Sequence, residues 1–353
     1  MHRRILFACL RALFVPIAAL WSISATGLTA AEHETNRSLG APSSALFADE
    51  QSGVVELQDH LKRAMETDDL SAAANDLNRI GLFYFTHSRF AEAQSAIAKS
   101  LALYRQLDLR KEQAMTLTEM GVTLSALGRF QEALDAHTEA LPLWRGLGDR
   151  NKEATTLGRM GELFRILKDF DDALRFDRAA LPIYREIGNR SGEAAVLNNI
   201  GLAYFADGQA KKAIGFFNRA RDVYNSLNDL SYESTSACNL AAAYVALGNR
   251  KKALYWLDQS LQIERSLGDR NAQAATLINM GSAYAGLDNS KVARDFYAQA
   301  LSIYQEMGDR EGAIKTEIAM EEVSPKKSAE KPEKLRDDKE QRQALLSVPP
   351  PAN

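Results

Sequence analysis

Cysteine is nearly absent from this chain: 353 residues hold two, Cys9 and Cys238, so no disulfide framework can support the fold. Histidine is scarce as well. His33, His60, His87 and His137 never pair at an i, i+4 spacing and have no cysteine nearby, which argues against a metal site. No glycine-rich phosphate loop and no GxSxG elbow occur, so neither nucleotide chemistry nor an esterase-type nucleophile is indicated. The sequence therefore reads as a non-enzyme without a small-molecule cofactor. Its composition, 46% apolar and 25% charged, is that of a chain with a sizeable core.

A basic excess is missing too. His2, Arg3 and Arg4 precede an apolar run from Ala12 to Ala25, and the small residues Thr29-Ala30-Ala31 follow before Glu32. This pattern predicts an export signal over residues 1–31 and a periplasmic or secreted protein. Arg11 interrupts the apolar stretch, and the remainder is shorter than the roughly 20 residues of a spanning helix. An uncleaved amino-terminal anchor is the alternative, and only then is a membrane a partner. Removing residues 1–31 takes away Arg3, Arg4 and Arg11 but no acid, leaving 40 basic residues against 46 acidic ones. That balance speaks against nucleic acid as a partner.

Against these absences stands a repeat. The string GLGDRNKEATTL at Gly146–Leu157 returns as SLGDRNAQAATL at Ser266–Leu277, 120 residues later. The underlying period is 40 residues without insertion, marked by Gly148-Asp149-Arg150, Gly188-Asn189-Arg190, Gly268-Asp269-Arg270 and Gly308-Asp309-Arg310. Such regularity predicts a solenoid whose units bury their apolar faces only against neighbours.

Two helical patterns alternate inside each unit. Leu157, Met160, Gly161 and Phe164 form one stripe; Ala173, Phe176, Ala180, Leu181 and Tyr184 form another in a different phase. Each unit is therefore a helical hairpin. The column Gly81, Gly121, Gly161, Gly201, Ala241, Gly281 marks close backbone approach, because glycine inside a helix costs about 1 kcal/mol relative to alanine. Gly148, Gly188, Gly268 and Gly308 are placed to end helices in the left-handed conformation, and Asp149, Asn189, Asp229, Asp269 and Asp309 to cap the next.

The half-motif Leu197 to Tyr204, followed by Ala213 and Ala220, resembles the tetratricopeptide repeat. The resemblance recurs six times over about 240 residues. Its usual unit has about 34 residues and closes with proline, whereas this one has 40 and carries Arg145, Arg185 or Asn225 there. It is more similar to the 40-residue subclass of kinesin light chains and LGN-type polarity scaffolds. The resemblance implies an all-α, right-handed superhelical solenoid of helix-turn-helix repeats with long second helices. The expected organisation is a signal over 1–31, a linker over 32–53, the array over 54–323 with six full repeats in about 71–310, and a charged, disordered tail over 324–353.

In such an array the first helices line the concave face. Asn199, Asn239 and Asn279 share one register there, and each amide offers both a donor and an acceptor. In the resembling families, asparagines at this place hold the backbone of an extended peptide. Asn198 adjoins the ladder, and Leu202, Phe205 and Val245 supply apolar contact. The earlier repeats place Arg79, Glu119 and Arg159 in the same column, with Glu162 and Arg165 nearby. The expected function is a protein-interaction scaffold that binds a peptide or partner protein in its groove. A self-associating array, or a membrane-anchored regulatory or adaptor subunit, is the alternative. The junction arginines Arg110, Arg150, Arg190, Arg270 and Arg310 track the capping residues and are read as structural. Cys238 is read as a weakly reactive thiol.

Overall fold

The computed structural model describes residues 46–323, so the expectations for residues 1–31, for 32–45 of the expected linker and for 324–353 lie outside the described residues; residues 46–53, expected as the end of the linker, are part of the first described helix. The described part is an all-α solenoid of fourteen helices with no strand. A leading helix, α1 (Leu46–Glu66), precedes six hairpins. Their first helices are α2 (Leu70–Thr86), α4 (Arg110–Ala126), α6 (Arg150–Ile166), α8 (Arg190–Ala206), α10 (Leu230–Ala246) and α12 (Arg270–Ala285). Their second helices are α3 (Phe90–Gln106), α5 (Phe130–Leu147), α7 (Phe170–Glu186), α9 (Ala210–Ser226), α11 (Arg250–Leu267) and α13 (Ser290–Met307). The last helix, α14 (Arg310–Glu322), repeats the first-helix pattern with Glu321 in place of the column glycine. The long repeat is shared evenly, since hairpin helices of both kinds run 16 to 18 residues. Among the described residues no helix is long and apolar enough to cross a membrane.

The helices fall into two compact units that divide between Gln209 and Ala210. Within each, packing runs between consecutive helices, and α6 also meets α8. Such short-range packing follows from the period, because every helix finds its partner within one repeat. The alanine columns are fully covered: Ala133, Ala173, Ala253 and Ala293 have 0% exposure, as do Ala140, Ala180 and Ala300. The predicted glycine column meets its partner at a fixed place in the second helix. A methyl group at Gly161 would lie 2.5 Å from Asp177 Oδ1 and 3.1 Å from the Ala173 carbonyl oxygen. One at Gly81 would lie 2.6 Å from Ile97, and one at Gly281 2.7 Å from the Tyr297 ring.

The junctions behave as their chemistry requires. Gly148, Gly188, Gly268 and Gly308 have φ between 70° and 72°, the left-handed region where a Cβ is penalised. Asp108 and Asn228 take the same conformation at that register, with φ of 50° and 57°. Asp149 accepts from the Lys152 amide at 2.9 Å, Asn189 from Gly192 at 2.8 Å and Asp269 from Ala272 at 2.9 Å. Each such cap contributes about 1 kcal/mol. The arginine stripe is tied into the junctions. Arg150 donates to Glu186 at 3.0 Å and also pairs with Glu153, a buried acid that accepts from Arg145 at 2.8 Å as well. Arg190 and Arg185 pair with Glu193 in the same way, and Arg270 reaches Glu306 on the second helix of its own hairpin.

Candidate binding surface

In residues 46–209 each first helix is flanked by its own second helix and by the preceding repeat, and one narrow stripe stays open; on α10 the same register is closed at Asn239 and Ala242. On α8 that stripe is Ala195, Asn199, Leu202 and Ala206, spaced by three or four residues; on α6 it is Thr155, Arg159, Glu162 and Ile166. The predicted residues map onto it unevenly. In residues 46–209, Arg79 is exposed on α2, while Glu119, Arg159, Glu162, Arg165, Asn199, Leu202 and Phe205 are half-buried. Asn198 turns away from the stripe and is 7% exposed. In residues 210–323, Asn279 and Val245 are half-buried, but Asn239 is sunk to 2% exposure at the same register. Asn279 thus presents its amide, and Asn239 belongs to the packed interior of α10.

Beneath the charged part of the stripe lie two ionisable groups that sequence reasoning left out of the site. His137 and Asp177 occupy the register of Ile97, each pressed against a column glycine. His137 is 1% exposed, and burial, followed by the Arg159 charge, lowers its pKa to about 3. The ring is neutral, and its Nδ1 has no hydrogen-bond partner. Burial pushes the Asp177 carboxyl well above its ordinary range; Arg165 opposes that shift and Glu162 adds to it. Oδ1 of Asp177 is also without a partner. A period-40 alignment could have found both, because each breaks an otherwise apolar column.

Two further polar groupings came only from the structure. At the start of the array an open cleft of about 610 Å³ is lined by Leu57, His60, Arg63, Arg79 and Phe83, with Glu56 and Asp59 at its rim. There His60 pairs through Nδ1 with Asp76, whose side chain is 3% exposed against 55% for the imidazole. In residues 210–323, Glu264 stands where other repeats place Tyr104, Trp144, Tyr184 or Tyr304. Its Oε1 accepts from Ser260 at 2.8 Å and from Ser234 and Thr276 at 2.9 Å each. Its Oε2 is buried without a partner. Cys238 lies 3.1 Å from Ser260 Oγ, and burial, then the Glu264 charge, pushes its thiol up to about 11. That thiol is protonated at neutral pH, a poor nucleophile. Among the described residues no group of three or more His, Cys, Asp or Glu side chains could hold a metal ion.

Comparison with solved structures places the fold among known helical-repeat proteins. BtubC from P. vanneervenii is 19% identical with a TM-score of 0.55, over 62% of this chain and 92% of that one. Aspartyl phosphate phosphatase F from Bacillus subtilis is 16% identical with a TM-score of 0.56, over 73% of each chain. A Rap protein complexed with competence and sporulation factor is 13% identical with a TM-score of 0.52, over 82% of this chain and 89% of that one. No curated protein matches the sequence. The model of the tetratricopeptide repeat matches residues 70–146, 152–226 and 232–306, and the chain belongs to that family.

Proposed function

We propose that this chain is an exported, non-enzymatic scaffold that binds an extended peptide segment along the open stripe of its first helices. The observation that carries this reading is the stripe itself. In residues 46–209 it is the uncovered face of helices whose other sides are packed, and it offers an amide and charges of both signs. Within residues 46–209 Asn199 holds the peptide backbone, Leu202 and Phe205 give apolar contact, and Arg159, Glu162 and Arg165 supply charge selection; within residues 210–323 Asn279 and Val245 offer the same amide and apolar chemistry. The structural likeness to a Rap protein solved in complex with competence and sporulation factor supports a protein or peptide partner.

The test begins with crosslinking of the natively expressed protein and mass spectrometry of the conjugates. Crosslinks should concentrate on first helices, and the chain's own first peptide should start near Glu32. Binding of the partner so identified should then weaken about tenfold in Asn199→Ala/Asn279→Ala at unchanged helix content, the effect of removing two anchoring contacts. Unchanged binding in that variant sinks the groove reading, and an intact Met1 sinks the export reading.

A further inference from the structure

Second helices of the two units start with opposite charge. In α3, α5 and α7 the first turn holds Glu92, Glu132, and Asp171 with Asp172. Acids there suit the partial positive charge of a helix amino end. They are also neutralised locally, by Arg89 on Glu92, Arg129 on Glu132 and Arg175 on Asp172. In α9, α11 and α13 the first turn has no acid at all. Lys211, Lys251 and Lys291 take the register of Asp171, one per repeat, with Lys212 and Lys252 beside the first two. All five side chains are exposed.

The reversal extends along the helices. α9, α11 and α13 carry ten lysines and arginines against five acids, whereas α3, α5 and α7 carry six against eight. Arg250 lies across the end of α12 at Gly286, which carries positive charge from one hairpin tip toward the next. Lysine at a helix amino end opposes the dipole, so its repetition three times is unfavourable for folding. Among the described residues Lys211, Lys251 and Lys291 make no ion pair that would offset it. Stability does not account for the ridge; a negatively charged partner does.

We propose that the lysine ridge of α9, α11 and α13 is a second interaction surface, separate from the first-helix stripe, and that it binds an acidic polypeptide segment. Asp258, Asp288 and Asp295 are exposed among these cations. They repel a continuous polyanion, whereas a segment with spaced acids passes between them. The spacing has a natural match. Because α9, α11 and α13 are each separated by a first helix and do not pack on one another, their lysines stand farther apart than the about 10 Å of directly packed helices. An extended chain that advances about 3.3 Å per residue therefore meets one lysine per hairpin with acids spaced at least three residues apart. Tyr255, 57% exposed beside Lys251 and Lys252, adds a hydrogen-bonding, partly apolar contact.

The experiment titrates the full chain into a fluorescein-labelled peptide of repeating Glu-Ser-Gly and follows anisotropy. Repeating Lys-Ser-Gly is the reference. Saturable binding of the glutamate peptide alone, weakened by raising salt from about 50 to about 300 mM, is expected. In Lys211→Glu/Lys251→Glu/Lys291→Glu the affinity should fall at least about tenfold. That variant places acids where the helix dipole favours them, so its melting temperature should hold or rise, and misfolding cannot explain the loss. Asn199→Ala/Asn279→Ala should bind the glutamate peptide as the parent does, which separates this surface from the groove. Equal affinity in the triple variant overturns the proposal. So does binding to phosphatidylglycerol vesicles with which the glutamate peptide does not compete, because the ridge then serves a lipid surface.

Discussion

Replacing His137 by leucine should reverse the response of this protein to mild acid. The imidazole is buried against Gly121 and held neutral, its pKa lowered from 6.5 to about 3 by burial and then by Arg159. The unfolded chain takes up a proton as pH falls through 6.5, and the folded chain does not until about 3. The contribution is therefore present above 6.5 and is lost on acidification, by about 1.4 kcal/mol per pH unit. Between about pH 7 and about pH 4.5 the loss is roughly 2 to 3 kcal/mol. Asp177 acts with the opposite sign. Its carboxyl is raised in the folded state, so its contribution is present below 3.8 and is lost as pH rises through the raised value. The two groups offset each other in the parent. Leucine, which the 257 position holds at the same register, removes the histidine alone. Urea unfolding followed by circular dichroism should then show His137→Leu gaining stability on going to about pH 4.5, and Asp177→Leu losing more than the parent. If His137→Leu keeps the parent's pH slope, the ring is not held neutral and the reasoning fails.

Two other expectations test the packing directly. Gly161→Ala should destabilise the array by about 1 to 3 kcal/mol through overpacking against Asp177 and the Ala173 carbonyl. Gly158→Ala, one turn earlier with its nearest neighbour 3.9 Å away, should stabilise it by about 0.5 to 1 kcal/mol, and thermal melts compare the two. Burial raises the Glu264 carboxyl above 4.5, with Ser260, Thr276 and Ser234 opposing the shift. Its contribution is present below 4.5 and is lost as pH rises through the raised value. Glu264→Gln keeps the three hydroxyl bonds and removes the charge, so it should be more stable than the parent at about pH 8 and lose that advantage near pH 4; equal stability at both would show the carboxyl to be unperturbed.

Hairpins, junctions and small-residue columns could be read from the sequence because each depends on residues within one repeat. A cap needs Asp149 and the amide three residues on; a helix end needs Gly148; a close approach needs Gly161 and a partner sixteen residues later. A fixed period then repeats every such local solution. Even the lysine ridge was legible, since Lys211, Lys251 and Lys291 stand at one register; the arginine stripe, paired at Arg110, Arg150, Arg190 and Arg270, carried the more regular signal.

Exposure was not legible, and the candidate surface depends on it. Asn199, Asn239 and Asn279 are identical in register, yet Asn239 is covered while the other two are half-buried. The pattern of one helix states which way a side chain turns, not how closely the helices beside it press. The same limit hid the neutral His137, the raised Asp177 and the hydroxyl cage of Glu264, whose donors come from three separate helices. Local chemistry along the chain decided that this protein is a stack of helical hairpins. Only tertiary packing decided which polar groups stay open to solvent and which are buried with shifted titration, because solvation and field at a site are set by every helix that surrounds it.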